Sequence, residues 1–203
     1  MPSDTEKSLR EELVKCMKIL HSRGLISGIG GNASARLPRE GAILITPSGK
    51  FKGDLAPDDI CKIDMEGRVL EGYVRPSIES PLHIAIYRSS PHINAVIHSH
   101  SPFTTGLALA GKKIEPVNYE AAVIFKEVPI LDFRIPGSKE LGELVAQNIK
   151  NRKAVILQNH GVVAVGATPL EALSIIESLE EVSIMIFVAS HFGEVKLIPK
   201  DQI

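Results

Sequence analysis

Apolar positions along this chain keep two rhythms, one of three to four residues and one of short unbroken runs. Between Asp4 and Ser22, Leu9, Leu13, Met17 and Leu20 recur at spacings of three and four, which predicts an amphipathic helix stopped by Gly24. The glycine-dense stretch from Gly24 to Asn32 breaks that rhythm and reads as a loop. Short apolar runs at Ala42–Thr46, Ile60–Asp64 and Val69–Tyr73, each bounded by turn residues, predict strands. Helices are predicted over Pro81–Arg88 and Ser101–Ala110, with a buried strand, Ala95–His98, between them. Val117–Val123 fits either type. Val128–Leu131 predicts a strand, and Ser138–Asn151 a helix opened by Ser138 with Glu140 and Glu143 in its first turns. Two strands, Ala154–Gln158 and Val162–Val165, flank Asn159-His160-Gly161. A long helix runs from an N-cap at Thr168, with Pro169 first inside, to about Phe192, and a short strand over Val195–Ile198 closes the pattern.

Several of these strand pairs have connections too short for a helical crossover. The expected fold is therefore α/β, a mixed, largely antiparallel sheet covered by helices in three layers. Nothing in the chain reads as a repeat, a low-complexity tract or a linker, so residues 1–203 are expected to form a single domain.

Charge and cysteine usage exclude several classes. Formal net charge is −1, and the one basic cluster, Lys150-Asn151-Arg152-Lys153, is too narrow for a nucleic-acid footprint. Cys16 and Cys61 stand far apart in apolar contexts and read as buried small hydrophobes, with no C-x-x-C. The N-terminus is polar, unlike a signal peptide, and the most apolar helical segment, Ser183–Ala189, is too short to span a bilayer. A cytoplasmic protein with no membrane partner is expected.

The candidate chemistry lies in the histidines. In a strand, residues two apart share a face, so His98 and His100 project side by side while Ser99 points away. The run Ala154–Gln158 delivers His160 at its own C-terminal end. If the two ends meet, three imidazoles converge with a fourth position open, the pattern of a catalytic zinc site. Read alone, H-x-H plus a distant His is a short pattern that ordinary surface or core histidines also satisfy. Three further segments carry suitable residue types. Gly30-Gly31-Asn32 is either a plain loop or an anion-binding nest of backbone amides. Thr46-Pro47-Ser48-Gly49 offers a hydroxyl and a free backbone amide at a strand end, or a simple turn. In Arg75-Pro76-Ser77-Ile78-Glu79-Ser80-Pro81, with Ser77 or Ser80 as N-cap, Ser77 and Glu79 lie at a helix N-terminus that favours anions. Glu79 is a solvated first-turn carboxylate unless the histidines lie near it. Burial there would raise its pKa, against the pull of any cation. His83 shares its helix face, which leaves a supporting role open, while His21, His92 and His191 read as surface positions.

In order and spacing, Gly31-Asn32, Thr46-Pro-Ser-Gly49, Pro76-Ser77-x-Glu79, His98-x-His100, Tyr119 and Asn159-His160-Gly161 match a known pattern. Over about residues 5–202 the chain resembles the class II sugar-phosphate aldolases, a family that includes the L-fuculose-1-phosphate aldolases and the L-ribulose-5-phosphate 4-epimerases. The resemblance implies a three-layer α/β/α sandwich and a homotetramer with active sites between subunits. It implies His98, His100 and His160 as ligands of Zn²⁺ or another divalent transition metal, and Glu79 as the catalytic acid–base. It further implies a phosphate pocket of Gly31, Asn32, Ser48, Gly49 and Ser77, and Tyr119 reaching the site of a neighbouring subunit. The implied reaction is reversible cleavage of a ketose 1-phosphate to dihydroxyacetone phosphate and an aldehyde, with the metal as Lewis acid.

Two departures stand out. Ile78 occupies the place of a second serine, removing one phosphate contact worth about 1.5–3 kcal/mol. The chain also ends soon after the last predicted strand, without the C-terminal tail of some relatives. The rival activities within the family are 4-epimerase, for which Asp is expected in place of Glu79, and dehydratase or decarboxylase. Outside it stand a metal-free, adducin-type scaffold, which would not keep three histidines and Glu79, and a zinc hydrolase, for which H-E-x-x-H is lacking.

Overall fold

The computed structural model describes residues 3–37, 39–72, 74–125 and 128–199. Strands β1 (Asn32–Leu37), β2 (Ala42–Ile45), β3 (Cys61–Asp64), β4 (Val69–Glu71), β5 (Ala95–Ser99), β6 (Ile130–Leu131), β7 (Ala154–Leu157) and β8 (Gly161–Gly166) form one sheet. Its spatial order is β4-β3-β2-β1-β5-β8-β7-β6, and every neighbouring pair is antiparallel except β6–β7. The helices are α1 (Asp4–Ser22), α2 (Ser80–Ser89), α3 (Pro102–Leu109), α4 (Tyr119–Ile124), α5 (Lys139–Ile149) and α6 (Pro169–Phe192). Among the described residues, no helix is long and apolar enough to cross a membrane.

Side chains alternating along the strands feed two separate cores. Ala33, Ala35, Leu44, Ile97, Val162 and Ala164 pack with α1, α3, α4 and α6. Ile43, Ile45, Val96, Val155, Val163 and Val165 pack with α2 and α5. With helices over both faces, central strands have no solvent side, which is why β5, β7 and β8 are buried at every position. The three layers and the mixed, largely antiparallel sheet agree with the expectation from sequence.

Three local readings change. The first strand, β1, arises in what the apolar rhythm leaves blank, because Asn-Ala-Ser-Ala-Arg-Leu has no β-branched or aromatic residue. Its alanines are required by packing: Ala33 and Ala35 are fully buried in the core that includes α1 and α6. The ambiguous segment forms α4, capped by Asn118 through the Ala121 amide. Val195–Ile198 forms no strand; the chain leaves α6 at Gly193 and runs on without regular structure. The end of the predicted strand Val69–Tyr73 lies outside the described residues at Tyr73.

The N-terminus of α3, directly after His100 and Ser101, is held from α6. Buried Glu180 accepts from the amides of Phe103 and Thr104, each at 2.9 Å, and from the Thr104 hydroxyl at 2.8 Å. Glu180→Ala removes the acceptor of both amides, while the Thr104 hydroxyl keeps the Ser183 hydroxyl at 2.9 Å. The expected loss is about 2–4 kcal/mol, read as a lower urea midpoint with an unchanged slope.

Candidate active site

His98 sits within β5, paired across to Asn32 on β1 and to Val163 on β8. His100 follows just beyond the strand, its amide donating to the Leu25 carbonyl at 2.9 Å. The hairpin joining β7 to β8 pairs Leu157 with Gly161, and the loop between them carries His160. Asn159 takes a left-handed conformation there, φ 60°, which a short polar side chain tolerates. A Cβ on Gly161 would collide with the Ser99 carbonyl oxygen, so only glycine lets the hairpin close against β5. As a result, one ring nitrogen from each of His98, His100 and His160 lies within 4.8 Å of the others.

The glycines before β1 serve the same closeness. A Cβ on Gly30 would stand 2.8 Å from His100 Nδ1, and one on Gly31 2.9 Å from the His98 carbonyl oxygen. Gly31 also has φ 66°. Ser27 and Ile26 crowd these two positions from one side and the H-x-H segment from the other, which leaves room only for glycine.

Hydrogen bonding decides which atoms face the centre. His98 Nδ1 donates to the Val162 carbonyl at 3.0 Å, which leaves Nε2 as the lone-pair nitrogen. That Nε2, His160 Nδ1 and Glu79 Oε1 are buried with no hydrogen-bond partner. Glu79 lies 3.4 Å from both His98 Nε2 and His160 Nε2. The unpartnered His98 Nε2 and Glu79 Oε1 leave buried polar capacity beside the three rings, which a cation would satisfy. Three imidazoles, one fixed from behind by a carbonyl, fit a divalent transition metal.

Burial pushes His98 down to about 3, with His160 and His100 adding to the effect against the pull of Glu79. Burial also lowers His100 and His160. The three rings are therefore neutral at neutral pH, as metal ligands must be. Burial acts to raise the Glu79 carboxyl, but the His98 and His160 rings and the Asn32 amide outweigh it and hold it below its usual value. The expected upward shift is not found, because the neighbouring imidazoles, together with the Asn32 amide, favour the charged form of the carboxylate.

Glu79 itself occupies the N-cap position of α2, and neither Ser77 nor Ser80 does. The Ser77 hydroxyl accepts from the Glu79 amide, and the Ser80 hydroxyl donates to the Ser77 carbonyl. The Thr46–Gly49 turn lies beside this segment. Pro47 bridges to Pro76, the Ser48 amide donates to the Arg75 carbonyl, and the Ser77 amide donates to the Thr46 carbonyl. Of the turn's backbone amides, that of Ser48 is thus already committed. Lys52, missed in the sequence and fully buried, ties the same turn by donating to the carbonyls of Pro47 and Lys50. Asn32 is buried, with its Nδ2 on Glu79 Oε2 at 2.7 Å and its Oδ1 on His83. Gly49 has φ 69°, and Ile78 is exposed. Tyr119 opens α4 with 73% of its surface exposed; among the described residues it hydrogen-bonds none of this cluster.

Comparison with known proteins follows the same lines. Residues 11–186 match the family model described as class II aldolase and adducin N-terminal domain. The chain is 36% identical to an L-fuculose phosphate aldolase of Methanococcus vannielii over 85% of this chain and 92% of that one. It is 34% identical to a 5-deoxy-D-ribulose 1-phosphate aldolase of Bacillus thuringiensis serovar kurstaki over 95% and 91%. It is also 34% identical to a 3-oxo-tetronate 4-phosphate decarboxylase of Escherichia coli K12 over 90% and 88%. A solved L-fuculose 1-phosphate aldolase superposes with a TM-score of 0.90 at 33% identity, over 100% of this chain and 94% of that one.

Two outcomes follow from this geometry. Gly30→Ala should push the His100 ring away and weaken zinc binding by at least about tenfold in chelator competition, whereas Gly106→Ala, with open space around it, should not. Metal-free protein should lose stability on acidification. His83, pushed down to about 4 by burial, stays unprotonated in the fold while the unfolded chain takes up a proton near 6.5. The unfolded state therefore binds more protons between those values, and stability falls as pH drops from about 6.5 toward 4. His83 alone should account for about 2–3 kcal/mol by pH 4.5, and the slope of urea stability against pH should flatten in His83→Gln.

Proposed function

Because the chain belongs to the class II aldolase family, we propose that it is a metal-dependent aldehyde-lyase. It would reversibly cleave a ketose 1-phosphate to dihydroxyacetone phosphate and an aldehyde. The observation that carries this reading is the convergence of one ring nitrogen each from His98, His100 and His160 within 4.8 Å, with the Glu79 carboxylate 3.4 Å from Nε2 of both His98 and His160. When bound by the three histidines, a divalent cation, Zn²⁺ by the all-nitrogen donor set, supplies Lewis-acid stabilisation of the negative charge that carbon–carbon cleavage creates.

The chain's own residues account for the proton movements. In the synthetic direction Glu79, ionised and buried, removes a proton from the hydroxymethyl carbon of dihydroxyacetone phosphate. That carbon then bonds to the aldehyde carbonyl carbon, and Tyr119 of a neighbouring copy protonates the new alkoxide. Cleavage runs the same steps backwards. The exposure of Tyr119 supports service to another subunit's site in a homotetramer. Gly31, Asn32, Ser48, Gly49 and Ser77 form the phosphate pocket, where the Ser77 hydroxyl retains a proton to donate. Ile78 adds no side-chain donor to it.

Glu79 favours the aldolase over the epimerase. A second reading, decarboxylation of a sugar-acid phosphate, has support in the Escherichia coli relative. A retro-aldol screen over ketose 1-phosphates, following dihydroxyacetone phosphate with and without chelator, separates the two. Chelator-sensitive release of that product is expected; carbon dioxide from a 3-oxo acid phosphate, with no triose phosphate from any ketose, would replace this reading with the second. His98→Ala should abolish both bound metal and turnover. Glu79→Gln should keep the metal and lose at least about 100-fold in turnover.

A further inference from the structure

Behind Glu79 a line of buried polar groups runs between β1 and α2. Asn32, Ser34 and Arg36 alternate along one face of β1. Glu79, His83 and Tyr87 stand four apart on one face of α2. The two rows meet. Asn32 Nδ2 donates to Glu79 Oε2, and Asn32 Oδ1 bonds His83 Nε2. His83 Nδ1 lies 2.7 Å from the Ser34 hydroxyl, which lies 2.8 Å from the Tyr87 hydroxyl. Arg36 closes the line, its guanidinium 4.8 Å above the Tyr87 ring and donating to the Tyr87 carbonyl at 2.6 Å. His83 and Ser34 are fully buried, and Tyr87 is 1% exposed.

The line has a direction. A carboxylate only accepts, so the Asn32 amide turns its N–H toward Glu79 and its oxygen toward His83. That oxygen requires a proton on His83 Nε2. A neutral ring then accepts at Nδ1, so Ser34 donates to it and Tyr87 donates to Ser34. Every donor points toward the carboxylate. Turning the Asn32 amide over would set its oxygen against Glu79 and its N–H against the His83 N–H, two mismatches between buried groups. We infer that His83, backed by Ser34 and Tyr87, is a positioning residue that locks the Asn32 amide in the one orientation that holds Glu79 for proton transfer. This rests on Glu79 being the acid–base of the proposed reaction.

Two measurements test it. In metal-free protein, ¹⁵N shifts of the imidazoles should show His83 protonated at Nε2 and bare at Nδ1, the reverse of His98; a proton on His83 Nδ1 would overturn the inference. In zinc-loaded protein, solvent deuterium exchange into dihydroxyacetone phosphate without aldehyde reads proton transfer alone. His83→Leu should lower the exchange rate about 10- to 100-fold, with bound zinc and the KM for dihydroxyacetone phosphate within about twofold of wild type. His83→Gln, which restores a donor toward Asn32, should recover to within about threefold. Where the leucine variant fails to fold, Ser34→Ala decides: a drop of about threefold or more supports the inference, and wild-type exchange overturns it. Exchange lost in Glu79→Gln but intact in His83→Leu sinks the positioning role and leaves the base. Exchange intact in Glu79→Gln sinks the base, and the positioning role with it.

Discussion

The pairing of Asn32 with His98 across β1 and β5 is the constraint on which the remainder depends. Strand side chains alternate, so this register decides which face receives every residue of β1. A slip of one position would turn Asn32, Ser34 and Arg36 into the apolar layer under α1 and α6. It would also set Ala33 and Ala35 against Glu79, His83 and Tyr87. The register is protected from both sides. Buried alanines fit one helix layer, and the polar residues find partners only in the other. The Gly30–Gly31 turn adds a third restraint, since it enters β1 beneath the H-x-H segment with no room for a side chain.

The buried histidines and carboxylate sit at one end of the sheet, where β5 and the β7–β8 hairpin stop. They remain partly unsatisfied while the nearby groups are well satisfied. Lys52 has its two carbonyls, Glu180 its three donors, and Asn32 both ends of its amide engaged. Unmet hydrogen-bonding capacity is concentrated at the imidazole cluster, with a few atoms elsewhere such as Thr105 Oγ1. A rigid, satisfied surround holds an unsatisfied centre in place, which is how a protein keeps a ligand-binding point from collapsing on itself.

Much of this was legible in the residues. Caps at Ser138 and Thr168, the H-x-H at the end of an apolar run, and His160 after another run follow from local rules, and the structure places them accordingly. Spacing also exposes part of the line behind Glu79, since residues 79, 83 and 87 share a helix face. The strand β1 was hidden because its residues suit a crowded interior rather than a pleated surface in general. Backbone commitments were hidden as well: the Ser48 amide is taken by Arg75, a residue 27 positions away. The direction of the Glu79 shift could not be read either, because it depends on His98, His160 and Asn32, all remote in sequence. Contacts between distant segments decide such points, and composition carries no record of them.

The two outer strands of the sheet are short. The segment at one border, β4, has three residues, and the one at the other, β6, has two. So little free backbone gives a foreign strand almost nothing to zip onto. Sheet growth from molecule to molecule is thereby disfavoured at both borders.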